Sequence, residues 1–154
     1  WSRGAWLGAA AGVVVVLVVR SKQAAIASAL VALHLDVPAR RVVLGAIDAD
    51  AQWCTSALTL VESLALIDRV TDQDVLRSDL EDLVRLSWDR LAVVPVDQPC
   101  LDRAAALMRR QPLRLSDALH LAAADRLPRP VRFVTFDPAQ IPVALSMEFD
   151  VIST

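Results

Sequence analysis

Cysteine is scarce in this 154-residue sequence, which rules out a fold held together by disulfide bonds. The two cysteines, Cys54 and Cys100, lack the spacing of metal ligands, and a single pair does not make a disulfide framework. We interpret both as small hydrophobic residues in a reducing cytosol. This interpretation predicts a cytoplasmic protein.

The sequence also has no excess of positive charge. Its net charge is −2, so it lacks the overall basic character of many nucleic-acid-binding proteins. Among its 16 cations, lysine occurs once, at Lys22, and the others are arginine. Arginine suits phosphate contacts, but we favour a compositional bias of the source as the explanation. A hydrophobic content of 55% excludes a disordered chain.

No hydrophobic run is long enough to cross a membrane. The uncharged run from Trp6 to Val19 has 14 residues, fewer than the roughly 20 that a spanning helix needs. A signal-peptide core and a buried strand are both open interpretations of this run. The chain begins at Trp1 rather than Met, which indicates a fragment or a start upstream of the true one. We set residues 1–25 apart as an atypical N-terminal segment and expect one domain over residues 26–154.

Segments with helical and strand-like patterns alternate after residue 25. Predicted helices cover residues 26–35, 39–49, 59–69, 72–89, 98–110 and 116–126, and a loop with a short helix covers residues 137–145. Predicted strands cover residues 53–57, 91–96, 131–136 and 149–152. This alternation predicts βαβ units. We therefore expect an α/β fold, a three-layer α/β/α sandwich with a central, mostly parallel sheet.

Three carboxylates stand near the ends of predicted strands or the starts of helices. Glu62 lies one turn into a helix that follows a strand, Asp117 opens a helix, and Asp137 ends a strand. Ligands of open parallel sheets bind beyond the carboxyl ends of the strands. Grouped carboxylates repel each other, and Mg²⁺ or Mn²⁺ would relieve that repulsion and activate water. A separate ordinary role for each acid, such as favouring a helix dipole or starting a turn, stays open.

Three stretches carry a family resemblance. They are "WCTSALTLVESLAL", "VVPVDQPCLDRAAALMRRQPLRLSDALHLAAA" and "RFVTFDPAQIPVALSMEFDVIS". The order of these stretches along the chain, and the spacing between them, resemble those of the PIN-domain ribonucleases of the VapC toxin type. The resemblance implies a metal-dependent endoribonuclease in which Glu62, Asp117 and Asp137 are catalytic and bind Mg²⁺ or Mn²⁺. It also implies an RNA substrate and a VapB-type antitoxin partner; we further expect a homodimer and no membrane association.

The first acid of this family is missing. The stretch "SALVALHLDVPARRVVLGAIDADAQW" resembles the first helix of the family from Ser28 onward, but Ile26 stands where an aspartate is expected. The run Val13–Val19 lies too far upstream, by this alignment, to be the strand before it. A reading error upstream of Ser28, a decayed toxin and a natural non-catalytic module remain alternative explanations. We expect weak or no nuclease activity, and the alternative function is a catalytically inactive PIN-like binding module that retains antitoxin binding.

Residues around Asp117 are candidates for supporting roles. Arg109, Arg110 and Arg114 form a basic cluster that is equally consistent with RNA contacts and with a solvated helix end. Ser116 is expected to cap its helix and to support the metal site. All four residues lie within eight positions of Asp117 in the sequence.

For two histidines and two tryptophans, we weigh a packing role against a functional one. His34 and His120 are expected to be structural rather than metal ligands, and Trp53 to pack rather than to stack on a base. Trp88 lies on the long amphipathic helix, where core burial and a dimer or antitoxin surface are both open.

Overall fold

Residues 12–15, 29–50 and 52–153 are described by the structure, which is a computed structural model. The helices are α1 (Ala29–Ala32), α2 (Pro38–Ala49), α3 (Leu58–Val70), α4 (Asp74–Trp88), α5 (Gln98–Met108), α6 (Leu115–Ala124) and α7 (Gln140–Ser146). The strands are β1 (Gly12–Val15), β2 (Trp53–Ser56), β3 (Ala92–Val94), β4 (Val131–Val134) and β5 (Asp150–Ile152).

The five strands form one parallel sheet in the order β3-β2-β1-β4-β5. From β1 the chain builds the sheet first toward β2 and β3, and later toward β4 and β5. The direction of growth therefore reverses beside β1. In open parallel sheets this reversal leaves a crevice at the carboxyl ends of the central strands.

Helices cover both faces of the sheet, which confirms the predicted α/β/α sandwich. Neighbouring residues of a strand point to opposite faces, and the core follows this rule. Cys54 and Phe133 pack in a cluster with α5, α6 and α7. Trp53 and Val134 pack with α1 and α2 on the other face, and a further cluster joins α1, α3 and α4.

Local sequence explains where several helices begin. Pro38 and Pro99 stand in the first turns of α2 and α5, where the missing N–H costs nothing. Asp97 caps α5 by accepting a hydrogen bond from the backbone N–H of Cys100. The prediction that Ser116 caps α6 is wrong. Arg114 is the last extended residue before α6, so Ser116 already lies inside the helix, and no side chain caps it.

The sheet includes a strand from the segment set apart in the sequence. β1 lies upstream of residue 26, and it pairs with both β2 and β4. Placing the run Val13–Val19 too far upstream to supply this strand was wrong. A longer connection between β1 and α1 is tolerated because the entropic cost of loop closure grows slowly with length. The remaining residues of segment 1–25, and Ile26, lie outside the described residues.

The helices that the structure describes are short. None of them is both long and apolar enough to cross a membrane.

Candidate active site

Asp117 and Asp137 come together at the carboxyl end of the sheet. Asp117 is the third residue of α6 and is 1% exposed, while Asp137 lies three residues beyond the end of β4 and is 5% exposed. Burial raises the pKa of Asp137, and the charge of Asp117 raises it further. The backbone N–H of Ala139 and the guanidinium of Arg114 oppose this shift. The two acids thus form a buried pair of like charges.

A glutamine that the sequence analysis missed connects this pair. Gln140, at the start of α7, is fully buried and donates from Nε2 to Asp117 Oδ1 over 3.1 Å. Its Oε1 accepts from the hydroxyl of Thr135 at 2.8 Å, and that hydroxyl accepts from the backbone N–H of Asp137 at 3.1 Å. The only sequence signal was the Asp-Pro turn after β4, which folds the following residues back toward the strand end.

Glu62 has a different partner. It lies on α3, and its Oε2 accepts a hydrogen bond from His120 Nε2 at 2.6 Å. His120 is fully buried on α6, one turn beyond Asp117, while the side chain of Glu62 is 29% exposed. The Nδ1 atom of His120 is buried without a hydrogen-bond partner among the described residues. A hydrogen bond to imidazole therefore occupies the carboxylate that was predicted to bind metal.

The described residues fit a divalent cation held by two carboxylates rather than three. Within the described ranges, no three His, Cys, Asp or Glu side chains are grouped closely enough to hold a metal ion. Asp117 and Asp137 nevertheless offer hard oxygen ligands close enough together for the charge of one to act on the pKa of the other. Mg²⁺ is commonly held by one or two carboxylates, with water or substrate phosphate completing its octahedron. Because Oε2 of Glu62 is bonded to His120, Glu62 would join such a site through its other carboxylate oxygen.

No carboxylate is available from the start of the chain. The first acidic residue of the sequence is Asp36, so no aspartate or glutamate lies between β1 and α1. The first acid of the family is therefore missing from every position between β1 and α1, and not only from Ile26.

The three candidate arginines differ in their relation to the site. All are exposed. Arg109 and Arg110 follow the end of α5, whereas Arg114 immediately precedes α6. Of the three, only Arg114 acts on the pKa of Asp137. Ser116 lies beside Asp117 in the first turn of α6 and is partly buried.

Other residues considered in the sequence have packing roles. His34 Nε2 lies 2.9 Å from the hydroxyl of Ser87, which joins the end of α1 to α4. Trp53 Nε1 donates to the carbonyl of Asp50, and Trp88 packs against the cluster of α1, α3 and α4. The cysteines are buried and unpaired, as predicted.

An apolar pocket of about 270 Å³ lies on the sheet face that carries α1 and α2. Leu30, Leu33, Val43, Trp53 and Leu91 contribute its apolar lining. Thr55, Thr59, Ser87 and Arg90 add polar groups at its wall. This pocket is separate from the Asp117–Asp137 pair, and the sequence analysis did not predict it.

Comparison with known proteins agrees with this architecture. A toxin-antitoxin complex from Klebsiella pneumoniae is 23% identical, with 62% of this chain and 72% of that chain covered and a TM-score of 0.50. VapBC-5 from Mycobacterium tuberculosis is 16% identical over 95% and 100% of the two chains, with a TM-score of 0.58. FitAB bound to the IR36 DNA fragment is 14% identical, with 80% of this chain and 90% of that chain covered and a TM-score of 0.60. At these identities the likeness is one of fold.

No curated protein matches the chain. The family comparison is more specific, because residues 27–144, well over half of the sequence, match the family described as PIN domain. That stretch includes Glu62, Asp117 and Asp137. The chain therefore belongs to the PIN-domain family.

Proposed function

We propose that this chain is a VapC-type endoribonuclease, the toxin of a toxin–antitoxin pair, with activity weakened by the loss of the first acid. The observation that carries the proposal is the buried Asp117–Asp137 pair at the carboxyl end of the parallel sheet of a PIN domain. Its catalytic residues would be Asp117, Asp137 and Glu62, of which Glu62 has one carboxylate oxygen bonded to His120.

The residues of the chain have distinct tasks in this proposal. Asp117 and Asp137 bind Mg²⁺ or Mn²⁺. When bound, such a cation supplies charge neutralisation at the scissile phosphodiester and lowers the pKa of a water molecule. Arg114, exposed beside the pair, contacts an RNA phosphate. Arg109 and Arg110 are further candidates for RNA phosphate contacts, and Ser116 supports the metal site from the first turn of α6.

We expect the rate to be low. The first 35 residues contain no carboxylate, and Glu62 is bonded to His120. Removing one member of a catalytic unit costs orders of magnitude in rate. A chain with three of the four family acids, one of them bonded to His120, should therefore cleave RNA far more slowly than a complete site.

The test is RNA cleavage by the purified chain in Mn²⁺. Asp117→Asn should abolish cleavage because the substitution removes a carboxylate from the pair. Asp79→Asn is a matched control, since Asp79 is an exposed aspartate on α4, remote in sequence from the pair. Equal cleavage by the wild type and Asp117→Asn would contradict the proposal, because the activity would then come from elsewhere.

The alternative is a catalytically inactive PIN-like binding module, a decayed toxin that keeps antitoxin binding. The missing first acid and the engaged Glu62 favour it. Mn²⁺ titration followed by electron paramagnetic resonance separates the two functions. Saturable binding that Asp117→Asn removes supports the nuclease. Absence of binding, together with absence of cleavage, supports the module.

The antitoxin partner belongs to the same proposal. A VapB-type antitoxin segment would place an apolar side chain in the pocket between Leu30, Val43 and Trp53. Leu33→Glu, at the pocket wall, should prevent purification of a stable complex when both proteins are coexpressed. Leu145→Glu, at an exposed position of α7, is the control. Homodimer formation is a separate proposal, which light scattering of the purified chain tests.

A further inference from the structure

The side chain of Gln140 uses both ends of its amide at the carboxylate pair. Burying an amide costs free energy unless its donor and acceptor are satisfied. The donor of the Gln140 amide is satisfied by Asp117 on α6, and its acceptor is satisfied by Thr135, just beyond β4. An aliphatic side chain of similar length would fill the same space without that cost.

The hydrogen bonds form one directed series. The backbone N–H of Asp137 donates to Thr135 Oγ1, whose hydroxyl donates to Gln140 Oε1, and Gln140 Nε2 donates to Asp117 Oδ1. The series starts at the backbone of Asp137 and ends at the carboxylate of Asp117. All four residues are buried, with Thr135 and Gln140 at 0% exposure. Fully satisfied buried polar networks of this kind restrict side chains to one arrangement.

The amide also acts on the charge of the pair. The N–H of Gln140 points at a carboxylate oxygen of Asp117, so its dipole opposes the repulsion between Asp117 and Asp137. Like charges separate when they are free to do so, and the hydrogen bond from Gln140 restricts the movement of the Asp117 carboxylate.

We propose that Gln140, acting through Thr135, is a positioning residue that fixes the carboxylate of Asp117 relative to the backbone of Asp137 for a divalent cation between the two acids. The role of the cation rests on the proposed function, whereas the bridge between the two acids does not. Residues that orient metal-binding carboxylates typically contribute about 10- to 100-fold to metal affinity or activity.

The test compares Gln140→Met with a matched glutamine. Methionine keeps the length of the side chain and removes both polar ends. Gln98→Met is the control, because Gln98 Nε2 also donates to a carboxylate, that of Asp102, at 2.8 Å on the exposed surface of α5. Thr135→Val removes the other end of the bridge at almost constant volume. Thermal unfolding establishes that each variant is folded.

Two readouts are expected to change. In the metal-free protein, nuclear magnetic resonance should show shifts of the Asp117 carboxyl carbon and the Asp137 amide in Gln140→Met and Thr135→Val, but not in Gln98→Met. Mn²⁺ affinity, measured by electron paramagnetic resonance, should fall about 10- to 100-fold in the same two variants.

The outcomes separate this inference from the proposed function. A folded Gln140→Met with unchanged carboxyl and amide shifts overturns the bridge, as does unchanged Mn²⁺ affinity in a wild type that binds Mn²⁺. A wild type that binds no Mn²⁺ counts against the nuclease, and the metal-free spectra still decide the bridge. If Gln140→Met fails to fold, the same measurements on Thr135→Val decide it.

Discussion

The three acids of the site have the same chemistry but different neighbours. Asp137 accepts a hydrogen bond from the backbone N–H of Ala139, and Asp117 accepts one from the side-chain amide of Gln140. Glu62 accepts one from the imidazole of His120. These partners are at hydrogen-bond distance, so they restrict the rotation of each carboxylate more strongly than distant charges do. At the scale of single residues, the contact partner therefore restricts how each carboxylate is oriented toward a ligand.

We expect Glu62 and His120 to be energetically coupled. Removing either partner leaves the other without its hydrogen bond, and neighbouring residues of this kind show coupling of about 0.5–3 kcal/mol. Partial exposure of Glu62 places the expected value near the lower end. Urea unfolding of Glu62→Ala, His120→Phe and the double variant measures the coupling. Strictly additive effects would show that the 2.6 Å contact contributes nothing to stability.

At the scale of elements, the sheet positions the acids and paired helices hold the sheet in place. The start of α5 is tied to the end of α6, because Asp97 caps α5 and also binds the guanidinium of Arg126 through both carboxylate oxygens. Arg126 in addition donates to the carbonyl of Pro95. This connection joins the end of α6 to the start of α5 and to the segment that follows β3.

The stabilisation from Asp97 should depend on pH. Desolvation acts to raise the pKa of Asp97, but the N–H of Cys100 and the guanidinium of Arg126 outweigh it and hold the pKa below the ordinary value of 3.8. A carboxyl whose pKa is depressed by folding stabilises the fold above that ordinary value. The stabilisation is lost as the pH falls through the folded-state pKa.

Asp97→Asn tests this dependence, because asparagine caps a helix nearly as well but carries no charge. The variant should melt at a lower temperature than the wild type at neutral pH. In acid well below 3.8 the two melting temperatures should converge. Asp79→Asn should show no such difference at either pH. A gap for Asp97→Asn that persists in acid would exclude the charge as its cause.

At the scale of the whole molecule, the sheet carries a hydrophobic core on each face. Phe133 on β4 is fully buried and stacks on Phe149, with ring centroids 5.5 Å apart. The guanidinium of Arg129 lies 4.4 Å from the centre of the Phe149 ring. The core under α5 and α6 thus includes β4, the strand that leads to Asp137.

Phe133→Ala should destabilise the whole domain by about 3–5 kcal/mol, because it leaves a cavity in the core. The total free energy of unfolding of a domain of this kind is about 5–15 kcal/mol. Leu145→Ala, at a position that is 57% exposed, should change the free energy of unfolding by less than about 0.5 kcal/mol. Urea denaturation measures both. Similar losses in the two variants would contradict the assignment of Phe133 to the core.

Much of the fold was predictable from local sequence. Helices α2 to α6 and strands β2 to β5 lie within a few residues of their predicted bounds, because hydrophobic periodicity and proline positions act over a few residues at a time. The strand β1 was misjudged, since nothing local tells how much chain separates a strand from the next helix. Ser116 was misjudged because the helix start depends on the backbone of Arg114.

The sequence by itself determined the alternation of strands and helices, the PIN-type order of Glu62, Asp117 and Asp137, and the lack of an acid before Asp36. Only the tertiary structure decided the partners of these acids. In the folded chain, Gln140 links the carboxylate of Asp117 through Thr135 to the backbone of Asp137. Glu62 is hydrogen-bonded to His120. Hydrogen bonds act over about 3 Å, between residues up to 58 positions apart in the chain, so only packing could bring these atoms into contact.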